Sequence, residues 1–382
     1  MNLHNLWSRK VRLICAIGVL VLWSQASAAE IPYREAPKED WLQLASLVEE
    51  EKRPLVHLNN DRHPLTRSWA LAFDNDIFVP GGRDQDYTYG INLTQSGEGA
   101  RKAFLSLNKP LMAIDRWLGN QHQSIGTRET FSREIGVYGF TPENITIAYP
   151  NPADRPYASL VYLSSSREQV DFVNNVAWKS TLTLGALGLA FPGELQNAVH
   201  EVTSSDKPQG WDNQISDGGE LTGRYVIARQ RYIETASPGT ELKSTIQASV
   251  GYLTEASWSL SFRKGAVHSP WSSFNPELAS YGEKSSYSSD AKVINEHYFW
   301  GGFAVKARGY NAFLQGQFRE SGVSYNRDQL RPLLVEAWAG YTFAFKRGYR
   351  ISYVLRGHTS EIKEGAGDRN LVWGGIILAR SL

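Results

Sequence analysis

The stretch YTYGINLT, Tyr87 to Thr94, sets apolar Tyr87, Tyr89, Ile91 and Leu93 against small or polar Thr88, Gly90, Asn92 and Thr94. Alternation with a period of two marks a β-strand with one greasy face. The pattern returns with Ile246, Ala248, Val250 and Tyr252 against Thr245, Gln247, Ser249 and Gly251. It returns again with Val335, Ala337, Ala339, Tyr341, Phe343 and Phe345 against Glu336, Trp338, Gly340, Thr342 and Ala344. Aromatic residues gather near the ends of such segments, as they do at membrane interfaces. Segments of this kind fall near 67–77, 86–97, 132–141, 156–166, 169–189, 219–235, 240–263, 291–305, 310–319, 333–345, 349–360 and 370–381. The sequence therefore predicts an all-β fold, a 12-stranded antiparallel transmembrane β-barrel with both chain ends in the periplasm.

The expected connections divide by side. Short periplasmic turns fall at 166–169, 236–239, 306–309 and 346–349, and longer extracellular loops at 78–86, 142–155, 190–218, 264–290, 320–332 and 361–369. Residues 98–131 are long yet fall on the periplasmic side, and Leu105, Leu107, Leu111, Ile114 and Leu118 suggest a small helix there. Ahead of the barrel, Arg9, Lys10 and Arg12 precede an apolar run from Leu13 to Trp23 and then Ala26-Ser27-Ala28. That order is a cleaved export signal over residues 1–28, followed by an N-terminal extension over 29–66 and the barrel over 67–382. Losing the leader removes three of 40 basic residues and none of 39 acidic ones, leaving 37 against 39 and a formal charge of −2. Such a balance does not advertise nucleic-acid binding. The one cysteine, Cys15, lies in the leader, which excludes disulfides and thiolate zinc sites from the exported protein.

Four polar motifs sit at the ends expected to face outward: FDNDIF around Asp76, DYTYG around Thr88, NPADRPYAS around Arg155, and GELQNAVHEVTSSDKPQGWDNQ from Gly193 to Gln214. By alternation Trp69, Leu71 and Phe73 face lipid, so Ala70, Ala72, Asp74 and Asp76 face the lumen with Thr88, converging inside the barrel's upper rim. In the last motif Gln196 and His200 stand one helical turn apart. Ester hydrolysis needs a nucleophile, a base and positive charge near the developing oxyanion. His200 suits the deprotonation of water, and Asp206 or Gln196 suits orienting its imidazole. Asp76 with loop carbonyls suits a calcium ion that polarises the ester, and Arg155, with Lys207 or Arg83, suits pairing with phosphates.

These motifs, in this order, resemble the lipid A 3′-O-deacylase family of outer-membrane β-barrels, with recognisable motifs over roughly residues 67–220 and strand pattern beyond. The resemblance implies a monomeric, calcium-dependent (Ca2+) hydrolase that removes the 3′-linked acyloxyacyl chain from lipid A, the lipopolysaccharide anchor, at the outer leaflet of the Gram-negative outer membrane. Carried over by position, Asn75, Asp76, Thr88, Gln196 and His200 match the family's site residues, with Asn75 and Asp76 at the metal. Two other readings compete. An outer-membrane phospholipase would use His358 and Ser360, spaced by one residue on a strand, but alternation turns that pair into the lumen. A non-enzymatic porin or adhesin is compatible with the barrel itself.

Overall fold

The computed structural model describes residues 67–79, 86–122, 127–203, 206–284 and 295–382; the expected leader and the extension over 29–66 lie outside these described residues. Alternating side chains build β1 (Ser68–Asn75), β2 (Asp86–Ser96), β3 (Thr127–Thr141), β4 (Ala158–Asp171), β5 (Val176–Leu187), β6 (Glu220–Ile233), β7 (Thr240–Gly251), β8 (Leu253–Ala266), β9 (His297–Asn311), β10 (Leu333–Ala344), β11 (Tyr349–His358) and β12 (Leu371–Ser381). Each pairs antiparallel with its neighbours in sequence, and β1 also pairs with β12, from Ser68 opposite Ser381 to Asn75 opposite Gly374. Lipid offers the backbone no hydrogen-bond partner, so closing the ring satisfies every strand edge. On β10 the outward Val335, Tyr341 and Phe343 are exposed while Glu336, Trp338 and Thr342 are buried inward, as the alternation predicts.

Three expected strands are drawn differently, and the turn expected at 166–169 lies inside β4, the chain reversing instead over 172–175. Residues 240–263 are not one strand but the hairpin β7–β8, because Gly251 takes φ +133° and the chain reverses at Tyr252. A Cβ at Gly251 would sit 2.0 Å from the Gly223 carbonyl oxygen, so only glycine makes this turn. Tyr252 is buried in consequence and does not continue the lipid face. Conversely, the expected strand 291–305 runs on through Gly309, which is absorbed by a bulge where Arg308 opposes Glu255 and Tyr310 opposes Thr254, and ends at Asn311 as β9; the rest of the expected strand 310–319 is not strand, Ala312–Gln315 forming a helical turn. The two departures cancel in the count of 12 strands but exchange the sides of the loop between them.

That loop, expected outside, enters from the periplasmic end and climbs the lumen over residues 267–284. Near its start Ser269 accepts from Arg263; higher up, Phe274 meets Trp300 edge-on at 4.9 Å and Glu277 pairs with Lys243 at 2.8 Å. Near the far rim Tyr281 packs on Tyr87, Phe140 and Trp373, and Lys284 pairs with Asp74. The wall around this plug is a lattice of opposed charges: Glu336 sits between Lys306 and Arg356, and Glu255 between Arg308 and Arg224. Buried charges of this kind persist only when paired.

Outside the wall, α1 (Glu98–Lys102) and α2 (Asn108–Trp117) follow β2, so the expected small helix is present, and α3 (Phe191–Thr203) lies against β3 and β4.

The filled lumen carries two expectations. In planar bilayers the intact chain passes no steady current, and a stable open conductance would restore the porin reading. Glu336→Leu leaves Arg356 without its carboxylate and Lys306 with only Glu255 at 3.9 Å, and should cost about 3–5 kcal/mol in denaturant unfolding from vesicles.

Candidate active site on the outer wall

The site begins with a bulge. Tyr87 opposes Phe140 and Tyr89 opposes Gly139, leaving Thr88 as an extra residue on β2. Beyond the bulge the alternation is displaced by one, so Tyr87 enters the lumen, where its hydroxyl donates to Asp74 at 3.1 Å. Tyr89 stays outward with Ile91. The Thr88 hydroxyl lies 2.6 Å from that of Thr141, two residues beyond Gly139 on the outward alternation. Thr88 therefore does not join Asp74 inside the rim as the simple alternation predicts. At the end of β1, Asn75 opposes Tyr89 on this same outward side; its amide donates to the Thr88 carbonyl at 2.7 Å, and its side-chain oxygen accepts from the Ile77 N–H at 2.7 Å. These bonds start the 3-10 turn Asp76–Phe78 and hold Asp76, 3% exposed, at its head.

Helix α3 closes over this wall. The Tyr89 hydroxyl donates to the Pro192 carbonyl at 2.8 Å, and Tyr89, Val137, Tyr157 and Trp211 form a cluster joined by Ile91, Val161 and Leu195. Trp211 fits against the first turn of the helix because residue 193 is glycine: a Cβ there would lie 2.7 Å from the indole. With Gln196 and His200 four residues apart, the helix turns both to one side, and both are buried.

The hydrogen bonds fix the state of the ring. His200 Nδ1 is 2.5 Å from the Asp206 carbonyl oxygen, which can only accept, so Nδ1 carries the proton and Nε2 presents a lone pair. Trp211 Nε1 donates to Gln196 Oε1 at 2.9 Å, which turns the Gln196 amide nitrogen toward His200 Nε2 at 3.4 Å. Asp206 thus orients the imidazole through its backbone while its side chain is exposed, and Gln196 faces the basic nitrogen. The part of Trp211 has no signal in the sequence, where a tryptophan in a loop reads as packing.

The remaining candidates lie apart. Arg155 is 2% exposed inside the rim: it pairs with Glu361 at 2.8 Å, approaches Asp86 at 3.7 Å and stacks on Phe140 at 4.9 Å. Burial alone would raise the Glu361 carboxyl, but Arg308 and Arg155 outweigh it and hold the group well below the usual carboxylate range. Lys207 is exposed beside Asp206, and Arg83 lies outside the described residues. His358 and Ser360 serve separate bonds: His358 Nδ1 meets the Thr359 carbonyl at 2.8 Å, and the Ser360 hydroxyl donates to the Ile362 carbonyl at 2.8 Å. Among the described residues no three of His, Cys, Asp and Glu gather as a metal-holding group.

A family model described as "Outer membrane protein LpxR" matches residues 45–382. The chain belongs to this outer-membrane protein family. Its barrel is similar to that of LpxR from Salmonella typhimurium, at 14% identity and a TM-score of 0.62, covering 82% of this chain and 100% of that one. More distant matches include the β domain of the Bordetella autotransporter BrkA, at 10% identity and a TM-score of 0.39 over 83% of this chain and 99% of that one. The KdgM porin matches at 5% identity and a TM-score of 0.34 over 82% and 99%. No curated protein sequence matches. Family and fold together place the chain in the Gram-negative outer membrane.

The tautomer is directly measurable. Nitrogen chemical shifts of His200 should report protonated Nδ1 and bare Nε2 in the intact chain. Trp211→Phe keeps a ring on Tyr157 but removes the N–H that sets the Gln196 amide, and should shift the Nε2 signal while Nδ1 stays protonated on the Asp206 carbonyl; an unchanged Nε2 shift would refute the role assigned to Trp211.

Proposed function

We propose that the chain is a lipid A 3′-O-deacylase: a hydrolase that releases the 3′-linked acyloxyacyl chain at the outer leaflet, with His200 as general base. The observation that carries this reading is the imidazole itself, with Nδ1–H anchored on the Asp206 carbonyl and the Nε2 lone pair held under α3 on the outward wall. The acyl ester of a glycolipid in the leaflet meets that wall sideways, without leaving the membrane. In the proposed reaction Nε2 takes a proton from water as the oxygen attacks the ester carbonyl. When the tetrahedral intermediate collapses, the C–O bond to the sugar breaks and the imidazolium returns its proton to the departing alkoxide. The products are a free carboxylic acid and a sugar hydroxyl.

The residues around the turn suit a calcium ion in kind. The Asp76 carboxylate, the Asn75 amide oxygen and the Thr88 hydroxyl are hard oxygen donors, and neighbouring carbonyls would complete the 6–8 ligands calcium takes. Bound there, calcium would supply positive charge against the oxyanion. Asn75 orders the Asp76 turn, Gln196 faces the attacking water's base, and Lys207, exposed beside Asp206, meets a lipid A phosphate as a point charge.

Mass spectrometry of lipid A from cells expressing the intact chain or His200→Ala provides the test. Loss of a 3′-linked group with the intact chain, cut by roughly 10²–10⁴-fold in the variant, is expected for removal of a general base. Asp76→Ala or a calcium chelator should reduce the rate at neutral pH. Unaltered lipid A in calcium-replete medium would sink the proposal, and cleavage of phospholipids with lipid A intact would transfer it to the phospholipase reading.

A further inference from the structure

Helix α2 (Asn108–Trp117) covers a polar patch on the outside of the barrel. Its buried side is Asn108, Leu111 and Asp115. Leu111 packs on Leu182 and Tyr225, cross-strand partners two residues from the exposed Leu184 and therefore on the outward face. Asp115 accepts from the Ser180 hydroxyl at 2.8 Å, the Tyr225 hydroxyl at 2.8 Å and Arg167 at 3.1 Å, and the Leu107 N–H donates to the Ser165 hydroxyl at 2.9 Å. Ser165, Arg167 and Ser180 thus stand on the lipid side of β4 and β5. Arg167 pairs with Glu129 at 2.6 Å, and α2 adds a second carboxylate at 3.1 Å and a cover over this outward arginine.

Because one side of α2 lies on the outward wall, the other side faces what surrounds that wall. Phe104, Leu105, Trp117 and Leu118 are exposed there, Phe104 at 86% and Trp117 at 84%. Leu105 holds φ +65°, a strained conformation for a non-glycine residue, and it still presents an apolar side chain outward. The exposed cations Lys102, Lys109 and Arg116 flank these side chains. A helix of 10 residues reaches only about 15 Å and cannot span a bilayer. Tryptophan and leucine beside lysine and arginine, continuous with a lipid-facing wall at the periplasmic end, match a segment lying in the headgroup boundary of a leaflet. We propose that residues 104–118 form a phospholipid-docking collar in the inner leaflet, with Trp117, Phe104 and Leu105 among the acyl chains and Lys109 and Arg116 on headgroup phosphates. This collar is separate from the site under α3 and does not depend on the deacylase reading.

The full chain carrying Cys15→Ser and Trp117→Cys, spin-labelled and reconstituted in phosphatidylethanolamine–phosphatidylglycerol vesicles, tests the position. The label should collide more with oxygen than with a water-soluble nickel chelate, as a label at lipid-facing Phe303 does. In a second measurement Lys109→Glu with Arg116→Glu should lower the phosphatidylglycerol retained through detergent purification by about tenfold. A label more accessible to nickel, spin–spin broadening from a second copy, or equal lipid retention would overturn the proposal.

Discussion

Everything in this molecule follows from the demand that a chain crossing hydrocarbon satisfy its own backbone. Pairing β1 with β12 meets that demand, and closure then assigns each strand residue to lipid or lumen. The lumen is too narrow for a wide aqueous channel once it holds the inward charges and the segment over 267–284. Inward acids are therefore met at contact distance by a cation, as with Glu336 and Arg356 at 2.5 Å, or by neutral donors, as with Glu134 and the Thr94 and Tyr162 hydroxyls. The rigid outer wall that results is the platform for both helices that lean on it, α2 near one end and α3 near the other.

The two helices solve different problems with similar means. Under α2 a carboxylate joins Glu129 on an arginine of the outward face. Under α3 two tyrosines, a tryptophan and aliphatic side chains seat the helix that carries the imidazole. Burial removes competing water and makes each remaining hydrogen bond decide orientation. The proton of His200 is placed by a backbone carbonyl, and the amide facing the lone pair is placed by an indole.

Much of this was legible in the sequence, and the misreadings have local causes. The alternation over 335–344 is unbroken, so it located both faces of β10 correctly. The alternation over 87–94 contains a bulge, and nothing in the residue types of Tyr87 and Thr88 marks the extra residue. Parity therefore put Tyr87 in lipid and Thr88 in the lumen, the reverse of the bonds they make. The hairpin at Gly251 was hidden because apolar and polar residues keep alternating up to Tyr252, and only the apolar pair Tyr252-Leu253 breaks the pattern at the turn. Gln196 and His200 were found by helical spacing, which is a local property. The Asp206 carbonyl was beyond reach because backbone groups carry no sequence signal, and the burial of Arg155 depends on Glu361, 206 positions away.

The segment inside the barrel also constrains assembly. It is stitched to early strands through Lys284 and Asp74, and to late ones through Ala279 and Arg356. Its charged and aromatic groups cannot be threaded through a finished ring already crowded with side chains. The ring must therefore close around the segment and not ahead of it, whichever strands pair first. The insert is in this sense a mandrel on which the cylinder is wound.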